Sequence, residues 1–63
     1  MSEFKAGQVW QRGSLRREIV EIHMNSWPVP EIAWRRPGNE MSTHLCSFAA
    51  FRAWRNKAHL VIE

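Results

Sequence analysis

The chain has no tyrosine and no aspartate, and its only cysteine is Cys46. A single cysteine excludes an intramolecular disulfide and fits a reducing compartment, so a cytoplasmic protein is expected. Pairing Cys46 with a histidine as nucleophile and base would need an orienting third group, oxyanion donors and a cleft. With no aspartate and little volume, the chain offers few of these, and no catalytic residue is assigned. Zinc sites show paired ligands at short spacings. Here His44 and Cys46 stand alone, with His23 and His59 elsewhere, so neither a metal nor another cofactor is expected. No apolar run approaches the roughly 18 residues of a membrane span. The opening MSEFKAGQVW also lacks the apolar stretch of a signal peptide. Membrane association is not expected.

What is present fits one small folded domain spanning residues 1–63. The composition, 44% hydrophobic and 24% charged, argues against disorder. A chain this short buries only about 60% of its unfolded surface. The four tryptophans and three phenylalanines compensate, since each large ring buries roughly 150–250 Å². Seven of the nine basic residues are arginine, the formal charge is +3 and the isoelectric point is near 10.0. Such a balance favours acidic partners, nucleic acid first and an acidic protein surface second.

Along the chain, residues 1–7 form a lead-in with Phe4 as an anchor and Gly7 as a turn. Residues 8–12 (QVWQR) read as a strand, and Gly13-Ser14 as a turn that includes Leu15. Residues 17–24 (REIVEIHM) give the strongest strand, with Val20, Ile22 and Met24 on one face and Ile19, Glu21 and His23 on the other. Pro28 and Pro30 make residues 25–30 a loop. Residues 31–36 (EIAWRR) read as a third strand with Ile32 and Trp34 facing the core. Pro37-Gly38-Asn39 is a turn, and residues 41–47 a fourth strand with Leu45 as its core residue. Ser47 is placed to cap a helix or 3₁₀ turn over 48–56, on which Phe48, Phe51 and Trp54 form an apolar stripe. Residues 59–63 complete a fifth strand.

Five short strands with a helical turn before the last follow the order of a small SH3-like barrel. Gly7-Gln8-Val9-Trp10, the hairpin into residues 17–22, and Phe48, Phe51 and Trp54 before the final strand carry the resemblance. The chain resembles the SH3-like and KOW-like mini-domains, and in flavour the short barrels encoded by phages and prophages. The fold class expected is therefore mainly all-β. The fold alone assigns no function, since such barrels host many.

The resemblance implies that the first hairpin, the loop after the second strand and the helical turn share one end. Arg12, Arg16 and Arg17 would then lie near Trp27 and near Arg52, Arg55 and Lys57, with Arg35 and Arg36 at the opposite end. A basic patch with an aromatic ring suits backbone phosphates and stacked bases. The first expectation is thus a non-enzymatic module that binds DNA or RNA through Arg12, Arg16, Arg17, Arg52, Arg55 and Lys57, with Trp27 stacking. The blander reading gives these arginines to solubility and to pairs with Glu18, Glu21 and Glu31. The second functional expectation is a protein-interaction module, a phage-like adaptor or host-directed protein that meets an acidic partner. Leu15, Trp27 and an exposed edge strand would then matter, and an edge-strand homodimer is as open as a monomer. A proline-rich ligand fits less well, because peptide-binding SH3 grooves are tyrosine-lined with an acidic first loop. An aromatic cage for methyl-lysine would need the tryptophans to converge.

Overall fold

The computed structural model describes residues 3–39 and 41–63, so the first two residues of the expected lead-in lie outside it. The elements run β1 (Val9–Arg12), β2 (Leu15–His23), β3 (Glu31–Arg35), β4 (His44–Ser47), α1 (Phe48–Arg55) and β5 (His59–Ile62). All five strands join one antiparallel sheet in the order β4-β3-β2-β1-β5. The fold is mostly β, with one short helix before the last strand, as expected. The ends differ in detail: Leu15 opens β2 instead of belonging to the turn, and β4 is four residues long.

The punctuation of the sequence explains the meander. Arg12 pairs with Leu15 across Gly13-Ser14, and Gly13 has φ +62° while no non-glycine residue among the described residues has positive φ. That is the pattern of a II′ turn, whose twist matches the strands it joins. Ser47 caps α1, its hydroxyl accepting a 3.1 Å hydrogen bond from the Ala50 N–H. Such a cap stabilises a helix by about 1 kcal/mol.

The core consists of Phe4, Ile19, Ile32, Trp34, Phe51 and Trp54, with Trp10, Ile22, Cys46, Phe48 and Ala58 packed around it. Phe4 sits at its centre, edge-on to Phe51, Phe48 and Trp10 at centroid distances of 5.1, 5.7 and 6.4 Å. The segment that carries it is held to β2 by Gly7 N–H to Ile19 C=O (2.8 Å) and Ile19 N–H to Gln8 C=O (2.9 Å).

Two expectations about the strand faces are corrected. In β2, Ile19 is fully buried, whereas Met24 is exposed. The cause is a β-bulge. Ile19 pairs with Trp34 and Glu21 with Ala33, so Val20 is an extra residue with no partner step on β3. The bulge shifts the alternation by one, so Ile19 and Ile22 share a face. In β4 the buried side is that of Cys46, opposite Ile32, while Leu45 is exposed. A one-residue change of parity moves every side chain to the other face.

Candidate anion site at the hairpin end

β2 is nine residues long, which at about 3.3 Å per residue separates its two ends by roughly 25 Å. The β1–β2 turn lies at one end, and the 24–30 loop at the other. Antiparallel pairing of β2 with β3 brings Arg35 beside Glu18, so Arg36 emerges next to the β1–β2 turn. The expectation of Arg35 and Arg36 at the opposite end is thereby corrected. Ser14, Leu15, Arg16, Arg36 and Pro37 line an open groove of about 350 Å³ there.

Trp27 moves the other way. It is 90% exposed and lies in the loop at the far end of β2, remote from Arg12, Arg16 and Arg17. Met24 and Val29 of the same segment are also exposed. Ser26 holds the loop in place by donating from its hydroxyl to Glu31 (2.8 Å). Expecting Trp27 beside the arginines placed two loops at one end that β2 keeps apart.

Arg52 and Arg55 are engaged within the chain. Arg52 Nε donates to both carboxylate oxygens of Glu3 at 3.0 Å, and its Nη2 donates at 2.7 Å. Arg55 donates to the same carboxylate, with its guanidinium 5.2 Å from the Phe4 ring centroid and 5.6 Å from that of Trp10. The hydrogen bond from Arg52, followed by the charges of Arg52 and Arg55, holds the Glu3 carboxyl below its ordinary pKa; partial burial opposes this. These two arginines clamp the lead-in onto α1. Their position in its last turn also complements the helix dipole.

Of the remaining cations, Arg12, Arg16, Arg17, Arg36 and Lys57 lie towards the hairpin end. Lys57 belongs there, because it leads into β5, whose first residue pairs with Gln11. Arg16 donates from Nε to Gln11 (2.9 Å). Among the described residues, no carboxylate pairs with Arg12, Arg16, Arg17 or Arg36. Glu18, the next carboxylate along β2, is taken by Arg35 at 3.0 Å.

Arg17 has the most unusual surroundings. Its guanidinium carbon lies 3.9 Å from the Trp34 ring centroid and 4.4 Å from that of Trp54. A planar, weakly hydrated cation suits such a slot. Burial lowers the Arg17 pKa from its ordinary value, and the charges of Arg36 and Arg12 act in the same direction. Cys46 adjoins this slot: burial raises its thiol pKa, while Arg17 and a hydrogen bond with Trp34 work against the rise. His44 stacks on Trp34 at 4.6 Å with 29° between the rings. No three histidine, cysteine or acidic residues cluster for a metal among the described residues.

Comparison with known proteins yields no match: no family model fits the chain, and no curated protein or solved structure is significantly similar. The site must therefore be read from its own chemistry. Of the residues singled out in the sequence, Arg12, Arg16, Arg17 and Lys57 come together, whereas Arg52, Arg55 and Trp27 do not join them. Arg36 and His44 were missed as members of the site. Arg36 was recoverable from antiparallel pairing alone, because the residue that ends β3 must lie beside the start of β2.

Proposed function

We propose that the protein is a non-enzymatic module that binds the phosphate backbone of nucleic acid through Arg12, Arg16, Arg17, Arg36 and Lys57. One observation carries this reading. Four guanidinium groups gather at the hairpin end with no carboxylate paired to them among the described residues, while Arg35, Arg52 and Arg55 are paired within the chain. Guanidinium forks with free donors recognise phosphate oxygens in bidentate fashion. Contacts of this kind position a strand without reading its bases. The order of strands and helix supports the SH3-like resemblance, although the function rests on the site and not on the fold.

The test is fluorescence anisotropy of a labelled single-stranded oligonucleotide across a salt series. Wild type should bind with a steep negative salt dependence. Replacing Arg16 and Arg36 by alanine should weaken binding at low salt and flatten the log–log slope by roughly 1.4, about 0.7 for each single-strand phosphate that is no longer neutralised. Unchanged affinity and slope in that double variant would refute the assignment.

A second reading, from a different class, has its own observation. Trp27, Met24 and Val29 are exposed at the opposite end, and tryptophan dominates the hot spots of protein interfaces. A protein partner there would be lost on Trp27→Ala and would tolerate salt better than the arginine end.

A further inference from the structure

We infer that the exposed face of His44 is a stacking platform for one unpaired base, which makes the arginine end selective for single-stranded nucleic acid. The inference rests on the phosphate-binding reading above and adds the element that reading lacks. The resemblance places Trp27 beside the arginines as the stacking ring, but Trp27 lies in the loop at the end of β2 opposite the hairpin.

His44 is in the right place for the task. Trp34 lies on β3 between its neighbours, paired with Ile19 of β2 on one side and with His44 of β4 on the other. Arg17 reaches Trp34 from the β2 side, and His44 stacks on it from the β4 side. The result is a four-layer stack, Trp54–Arg17–Trp34–His44, with separations of 4.4, 3.9 and 4.6 Å. Its inner three members are buried or half-buried, and its last is exposed on β4, an edge strand. Among the described residues no further ring packs on His44. A planar base continues the stack as its fifth layer, and its flanking phosphates fall to the arginine cluster that contains Arg17 and Arg36.

Selectivity follows from accessibility. A base inside a duplex has both faces covered by its neighbours, whereas an unpaired base has a face to offer. Stacking of this kind tolerates any base, because each has a π-face.

The test compares an oligothymidylate and an oligouridylate of about twelve nucleotides with a duplex of equal length. The proteins are wild type, His44→Ala, His44→Phe and the Arg16→Ala/Arg36→Ala variant, with circular dichroism confirming that each is folded. Wild type should prefer both single strands over the duplex. His44→Ala should lower single-strand affinity roughly tenfold, in the range measured when one base–aromatic stack is removed, while leaving duplex affinity and salt slope unchanged. His44→Phe should restore it. If His44→Ala leaves single-strand binding intact while the arginine variant weakens it, the platform is refuted and the phosphate reading stands. If His44→Phe fails to rescue, stacking is refuted as the role of the ring. If wild type binds none of the three at low salt, the phosphate reading itself falls.

Discussion

Replacing Arg17 separates the attraction of a cation for aromatic rings from the cost of burying it. The guanidinium is held between Trp34 and Trp54 at 3.9 and 4.4 Å, and its surroundings already lower its pKa through burial. Two partly desolvated cation–π contacts contribute about 1 kcal/mol each. The aliphatic stem adds up to about 1 kcal/mol by covering apolar surface. Arg17→Ala should therefore cost about 2–3 kcal/mol. A 63-residue domain has a total stability of only about 3–9 kcal/mol, and each kcal/mol moves the midpoint of a domain this size by about 4–8 °C. A fall of roughly 10–20 °C follows, to be read by thermal denaturation with circular dichroism and tryptophan emission. Arg17→Met keeps an unbranched side chain without the charge, loses both cation–π contacts and should remain about 2 kcal/mol below wild type. Met equal to or more stable than Arg would refute the reasoning, since desolvation would then outweigh the attraction.

Two further stability predictions concern the strand faces and the N-terminal clamp. Ile19→Ala removes a fully buried side chain and should cost about 2–4 kcal/mol in urea denaturation, whereas Leu45→Ser, on an exposed position, should stay within about 0.5 kcal/mol. The reverse ranking would contradict the face assignments. Glu3 has its folded-state pKa lowered by Arg52 and Arg55, so its contribution is full above its unfolded pKa and is lost as pH falls through the folded value. Wild type should therefore exceed Glu3→Gln in thermal midpoint at neutral pH, and the two curves should converge in acid below the ordinary carboxylate range. Curves that stay equally far apart down to the lowest pH would contradict the clamp.

The meander was legible because the chain punctuates itself. Gly13-Ser14, Pro28 with Pro30, and Pro37-Gly38 each stop a β-prone run, and Ser47 announces the helix. Phe51 and Trp54 of the helical stripe, and Ile32 with Trp34 of β3, are buried as their spacing implied. The bulge at Val20 was hidden, because Ile19, Val20 and Ile22 satisfy either phase of an alternating pattern until β3 is paired against them. The parity of β4 was equally ambiguous: Leu45 is the more hydrophobic side chain, yet the register that stacks His44 on Trp34 turns Cys46 inward.

The arginine site was only half legible, for reasons of distance and competition. Clustering in sequence identified Arg12, Arg16 and Arg17, which the β1–β2 hairpin keeps together. Glu3 lies 49 residues from Arg52 along the chain, and no local pattern reveals that this carboxylate engages two arginines. The remote position of Trp27 follows from the length of β2, once the strand is taken to run without a break through its bulge.

The most direct test of the phosphate-binding end is to titrate isotopically labelled protein with an oligothymidylate and to map the amide shifts. The largest changes should fall on residues 12–17, 36–37 and 44, and they should fade as salt is raised. Shifts confined to the 24–30 loop, or none at low salt, would contradict a phosphate-binding hairpin end.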